Sequence, residues 1–149
     1  MTEKENVLNT VRIKVLELAS EAKMAMDAAQ EAANSEGKSS MGDKYETGRA
    51  MAQLDRDMYA TRYHQIMQDL ALLDRIEKAP ASGQVRPGSL VGTSLGKILI
   101  AVSLGVIGSG SEKVLAVSAQ SPLGKSLLGK AAGDSFAFQG KGYIVDSVC

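Results

Sequence analysis

Residues 8–32 read LNTVRIKVLELASEAKMAMDAAQEA, and the spacing of Leu8, Val11, Val15, Leu18, Ala22, Ala25, Ala29 and Ala32 within them decides the fold. Apolar residues three and four apart in strict alternation form the a/d seam of a coiled coil, held here over more than three heptads. The spacing predicts one long helix with a partner helix along its seam. The seam shrinks from Leu and Val to Ala toward residue 32, which lets two helices approach closely at that end.

The segment Asn34-Ser35-Glu36-Gly37-Lys38-Ser39-Ser40 breaks this helix. Gly37 suits a helix C-cap, and serines prefer turns and N-caps to helix interiors. Helix propensity resumes at Asp43. A second apolar stripe starts at Met51, Leu54 and Met58 and drifts to Tyr59, Tyr63, Ile66, Leu70 and Leu73, a shift of register rather than a perfect heptad. The two arms are expected to pair within the chain as an antiparallel coiled-coil hairpin with its tip near residues 35–46. A helix of about 30 residues is about 45 Å long at 1.5 Å per residue, so the tip is expected to project well beyond a small domain at the base.

The second arm ends at Ala79-Pro80-Ala81-Ser82-Gly83, where proline and glycine stop the helix and the composition changes. Downstream, Gly and β-branched residues replace Glu, Gln and Met. Residues 89–91, 97–103, 114–118, 135–138 and 143–148 read as short strands separated by glycine-bearing turns. One segment, residues 121–129, reads instead as a short helix: Ser121 is a good N-cap, Pro122 suits the first helical position and Gly129 closes the far end. Leu123, Leu127 and Leu128 are expected to pack it on the sheet. The predicted fold is α+β: a helical hairpin over residues 1–79, a linker at 80–84 and a small, mostly antiparallel β domain over 85–149.

Charge narrows the partner. Residues 1–80 hold 11 basic and 14 acidic side chains and residues 81–149 hold 6 and 3, so the two parts carry about −3 and +3 in a chain of zero net charge. That balance argues against independent DNA binding by phosphate neutralisation and favours a protein partner. The single cysteine, Cys149, excludes an internal disulfide framework. The polar start Met1-Thr2-Glu3-Lys4-Glu5 lacks a signal-peptide core, so a cytoplasmic chain is expected. The longest apolar run, residues 98–107, is about half the roughly 20 residues of a membrane helix and is interrupted by Ser103 and Gly105, so no membrane association is expected.

Two carboxylates fall at the expected hairpin turn, Asp43 and Glu46 in Ser40-Met41-Gly42-Asp43-Lys44-Tyr45-Glu46-Thr47. With Asp43 as N-cap and Glu46 three residues on, the spacing is that of a capping box. The same pair offers hard oxygen ligands to a divalent ion. Lys38, Lys44 and Arg49 lie beside it, able to make phosphate-type or carboxylate contacts or simply to form a solvated charge mix. Tyr45 can stack on a base or cover the turn. His64 has no partner at ligand spacing. Residues 119–126 also fit a permissive Walker A pattern, but only 23 residues follow Ser126, too few for the parallel sheet and Walker B acid of a P-loop fold.

At these residues the chain resembles the Gre transcript-cleavage factors of bacterial RNA polymerase, over nearly its whole length. That family carries Gly-Asp, any two residues, then Glu at its hairpin tip, as in Gly42-Asp43-Lys44-Tyr45-Glu46. Its C-terminal segment is Ser-Pro-Leu-Gly, a basic and a small residue, Leu-Leu-Gly-Lys, then Gly-Asp. Here that segment is Ser121-Pro122-Leu123-Gly124-Lys125-Ser126-Leu127-Leu128-Gly129-Lys130, followed by Gly133-Asp134. The chain departs from the family at Lys44-Tyr45, where Leu-Ser is usual, and at Thr47-Gly48-Arg49-Ala50, where the family continues Asn-Ala-Glu-Tyr.

The resemblance implies a coiled-coil hairpin followed by an FKBP-like β domain, in a monomer that binds RNA polymerase. Gre hairpins enter the polymerase secondary channel, into which the RNA 3′ end of a backtracked complex is extruded. Asp43 and Glu46 would then hold a Mg²⁺ shared with polymerase carboxylates and assist RNA hydrolysis, with Mg²⁺ bound only in the complex. Ser121, Pro122, Leu123 and Gly124 match the segment that contacts the polymerase rim. Three readings follow: a cleavage-stimulating factor, a non-cleaving regulator occupying the same channel, and an FKBP-like isomerase or chaperone. The last is the weakest, because two phenylalanines and no tryptophan leave little to line a proline pocket.

Overall fold

The structure is a computed structural model. It describes residues 2–36 and 42–149, with the backbone alone at 36 and 42–45. Two long helices, α1 (Glu3–Glu36) and α2 (Gly42–Lys78), pack together and are followed by a six-stranded sheet and a short helix. The strands are β1 (Leu90–Thr93), β2 (Gly96–Ala101), β3 (Gly105–Ile107), β4 (Val114–Ser118), β5 (Ser135–Phe138) and β6 (Lys141–Val148), and α3 (Pro122–Leu127) lies between β4 and β5. The α+β class read from the sequence is the observed one. No described helix is long and apolar enough to cross a membrane.

The chain divides into two compact units, Met1–Arg12 with Ala71–Cys149, and Ile13–Leu70. The proline and glycine joint at residues 79–83 lies inside the first unit, which holds the start of α1, the end of α2 and the whole sheet.

In the first unit the sheet order is β3-β4-β2-β1-β6-β5. All neighbouring strands are antiparallel except β2 and β4, which run parallel in the register Lys97↔Val114 to Ala101↔Ser118. β3 was not separated in the sequence. The apolar run through residues 98–107 conceals a break at Ser103 and Leu104, after which β3 pairs antiparallel with β4 at the sheet edge. Leu123 and Leu127 of α3 join a core with Val91, Ile98, Ile100, Phe136 and Val145. Leu128, expected in that core, is 38 % exposed. It is the C-cap of α3, and its extended backbone (ψ 131°) has already left the helical face that Leu123 and Leu127 share.

Three contacts organise the helix ends in this unit. The α1 N-terminus carries a capping box, with Glu5 N–H donating to Thr2 Oγ1 (3.2 Å) and Thr2 N–H to Glu5 Oε2 (3.0 Å). Arg12 donates to Asp74 Oδ1 (2.8 Å) and Glu77 Oε1 (3.0 Å), tying α1 to α2 in antiparallel sense. Those two carboxylates hold its guanidinium above its ordinary pKa, Asp74 more than Glu77. Gly88, at φ +98°, lets the turn before β1 meet α2, since a Cβ there would lie 2.6 Å from Ile76 Cγ2.

In the second unit Val15, Ala19, Ala22, Ala29 and Ala33 of α1 and Ile66 of α2 are buried. Ala33, not the expected Ala32, closes the seam. Leu8 to Ala33 is 25 residues, about seven turns at 3.6 residues per turn, so the buried line follows the helix itself rather than a sustained 3.5-residue repeat.

The second correction is larger. Met51, Leu54 and Met58, read as the start of the α2 seam, are 57 %, 63 % and 57 % exposed. The half-buried positions there are Ala52, Gln53, Arg56, Tyr59, Ala60 and Tyr63. Facing an alanine-lined α1, the second helix turns Ala52 and Ala60 inward together with Tyr59 and Tyr63 and sends Arg56 Nη1 across to Gln30 Oε1 (3.1 Å).

Candidate functional site

The tip acids come from the first residues of α2. Asp43 is the second residue of that helix and Glu46 the fifth, so position 43 is inside the helix rather than the cap before it. Three residues apart on one helix, the two positions are neighbours on its surface. Glu46 and Arg49 are exposed. Lys38, and the expected Gly37 cap, lie outside the described residues; Lys44 and Tyr45 fall in the first turn of α2, where only the backbone is described. Acidic residues at a helix N-terminus are favoured by the positive end of the helix dipole, so the fold itself tolerates this pair without a partner.

Mg²⁺ takes about six oxygen ligands in near-octahedral geometry. Positions 43 and 46 supply the right donor chemistry and about a third of the number. Among the described residues, no cluster of three or more His, Cys, Asp or Glu side chains is placed to hold a metal ion. Two carboxylates alone would leave most of such a coordination sphere to other ligands. His64 is exposed, its Nε2 within 3.3 Å of Gln68 Nε2, and takes no part.

The second candidate locus is α3, in the first unit. Ser121 caps it: its Oγ accepts from Gly124 N–H (3.0 Å) and donates to the Ser118 carbonyl (2.7 Å). Pro122 takes the first helical position, where its missing N–H costs nothing. Gly124 has no room for a side chain, since a Cβ would lie 2.1 Å from the Ser118 carbonyl oxygen. At Gly129 (φ +81°) the chain turns, its N–H donating to the Val85 carbonyl (2.8 Å). Asp134 then caps the following turn, accepting from Ala131 N–H (2.8 Å).

Most of this motif is thus committed to folding the β domain. Leu123 and Gly124, expected among the partner contacts, are buried, whereas Pro122 and Lys125 are exposed and Ser121 half-exposed. The Walker A alternative fails on the same geometry, because the N–H groups of Ser121, Gly124 and Lys125 are already bonded to Ser118 O, Ser121 Oγ and Ser121 O. Those three amides are therefore not free to cradle a phosphate.

No family model and no curated protein matches this chain. The feature that sequence reasoning missed is the outward stripe of Met51, Leu54 and Met58. Its 3,4 spacing signals a helix face but not which of two opposite faces is buried.

Proposed function

We propose that the protein is a Gre-type factor that enters the secondary channel of bacterial RNA polymerase and stimulates cleavage of backtracked RNA. The observation that supports this reading is that positions 43 and 46 lie one helical step apart in the first turns of α2, the second of two long helices that pack together. The resemblance at residues 121–134 supports it independently.

In this reading the hairpin is the delivery arm. A helix start is a stiff platform, so the two carboxylates enter the active site at fixed spacing and little ordering entropy is lost on arrival. Asp43 and Glu46 would hold Mg²⁺ jointly with polymerase carboxylates. Bound there, the ion stabilises charge on the attacking and leaving oxygens of the phosphodiester. Lys38, Lys44 and Arg49 would contact extruded RNA or channel carboxylates, with Tyr45 beside the RNA base, and Pro122 and Ser121 would meet the polymerase rim. The substitution of Lys44-Tyr45 for Leu-Ser between the acids favours one alternative, a factor that occupies the channel without cleaving.

The test is cleavage of an artificially backtracked complex by wild type and by Asp43→Asn/Glu46→Gln. Asn and Gln keep the polar groups and lose the charge, so the variant is expected to fold and bind polymerase but to lose stimulation by at least about 100-fold, the scale of removing one essential electrostatic group. Wild type that binds without cleaving identifies the channel-occupying regulator. Absence of binding removes the Gre-type reading.

A further inference from the structure

In the second unit one wall of the helix pair is lined by methyl groups. Ala22, Ala29 and Ala33 of α1 are buried, and Ala52, Tyr59, Ala60 and Tyr63 of α2 are half-buried. Knobs as small as alanine fill no deep holes, so a slide of one helix past the other by a turn, about 5.4 Å, would lose little packing. Apolar contact alone therefore specifies the register weakly.

A chain of polar contacts crosses that wall. Arg56 Nη1 donates to Gln30 Oε1 (3.1 Å), Gln30 Nε2 donates to Asn34 Oδ1 (3.1 Å), and Arg56 Nε and Nη2 donate to Asp57 Oδ1 (3.1 and 2.6 Å). The roles are complementary: Asn34 engages the Gln30 amide nitrogen, which leaves the carbonyl oxygen for Arg56, and Asp57 accepts from the far edge of the guanidinium. Gln30 and Arg56 are both half-buried. A slide of one turn carries Arg56 out of hydrogen-bond range of Gln30 and costs a bond to a charged donor at the seam. A polar group placed within an apolar seam specifies register in this way.

We propose that Arg56 and Gln30 are positioning residues that lock α2 in register against α1 and so set how far positions 43 and 46 reach. The consequence for metal binding rests on the Gre-type reading above. Position 56 lies 13 residues beyond position 43, about 20 Å along the helix. With 30 opposite 56 in an antiparallel pair, position 36 falls opposite position 50, so α2 runs about 12 Å past Glu36 and carries any slide at the seam unreduced to its first turn. Mg²⁺ holds oxygen ligands at about 2.0–2.1 Å, and an error of one turn takes both carboxylates out of its sphere.

Two measurements test this on wild type, Arg56→Met, Gln30→Leu and Gln30→Glu, each of which places a good helix former at the exchanged position. The first is the distance between spin labels at Lys23→Cys and Thr47→Cys, exposed positions of α1 and α2, in a Cys149→Ser background. The wild-type seam and Gln30→Glu, whose carboxylate still accepts from Arg56, are expected to give one distance. Arg56→Met and Gln30→Leu are expected to add a second, displaced by about 5 Å, one helical turn. The second measurement is cleavage of a backtracked complex against factor concentration. Arg56→Met and Gln30→Leu are expected to lose at least about tenfold in rate at saturating factor, the population shift that follows from losing a hydrogen bond to a charged group, while the half-saturating concentration stays within about threefold of wild type. Gln30→Glu is expected to keep both. A single unchanged distance in Arg56→Met and Gln30→Leu overturns the lock and leaves the Gre-type reading standing, and so does a wild-type rate at saturation or a loss confined to half-saturation. Wild type that cleaves nothing removes that reading and the consequence for metal with it, while the distances still decide the lock.

Discussion

In the unit of Met1–Arg12 and Ala71–Cys149 the large apolar side chains are mostly inside, with Leu73, Ile76, Ile98, Ile100 and Leu127 all buried; in Ile13–Leu70 many are outside. Ile13, Met24, Met51, Leu54 and Met58 are exposed there, and the seam is largely alanine. The first unit is organised around burial, the main favourable term in folding. The second is held by a thin seam and leaves its apolar surface available. The difference separates a part whose apolar side chains are largely buried from one whose apolar surface lies open.

The comparison breaks most sharply on a pair of leucines in α2. Leu73 is 1 % exposed, and Leu73→Ala is expected to cost about 2–5 kcal/mol through lost burial and the cavity left behind. Leu54→Ala removes the same atoms from water and is expected to stay within about 0.5 kcal/mol. Chemical denaturation of both variants measures it. Similar losses at the two sites would mean that the stripe is covered in the free protein.

The next largest effect tests how tightly α3 is seated. Gly124→Ala drives a methyl group against the Ser118 carbonyl and is expected to cost about 1–3 kcal/mol, with the β domain losing stability while hairpin helicity persists in circular dichroism. Ser121→Ala, which removes the cap and leaves Gly124 N–H without its acceptor, is expected to cost about 1 kcal/mol, and Ser121→Asp to restore most of it. Neither change should alter cleavage per bound factor if residues 121–124 serve folding and rim contact rather than chemistry.

Local rules made much of this legible from sequence. The α1 helix, the stop at residues 79–83 and the Ser121–Pro122 start of α3 follow from spacing, proline and capping, each decided within a few residues. The T-x-x-E capping box at Thr2 and Glu5 is equally local. What depended on a second element was not. Ala33 in place of Ala32 depends on whether the pair supercoils. The outward Met51, Leu54 and Met58 depend on the alanine face of α1 that α2 meets, and the burial of Leu123 depends on the sheet beneath α3. At the tip, the acids announce their charge and spacing.

The smallest expected effect lies in the hairpin seam itself. Asp69 is half-buried on α2, and burial pushes its carboxyl above the usual range while a hydrogen bond from Gln65 opposes the shift. A folded-state pKa above the unfolded value, about 3.9, means that the fold prefers the protonated acid. Its stabilising contribution is therefore complete below the unfolded pKa and is lost as pH rises through the folded one. At neutral pH the ionised group is a small liability in a seam already thin in apolar contact. Asp69→Asn is expected to raise the thermal midpoint at pH 7 by an amount worth less than about 1 kcal/mol, with the gain fading at or below about pH 4, where wild type carries the neutral acid. Thermal unfolding of both proteins across that range decides the sign. Destabilisation by Asn at pH 7 would show that the Gln65 bond outweighs burial, and that the second unit relies on polar contacts even inside its seam.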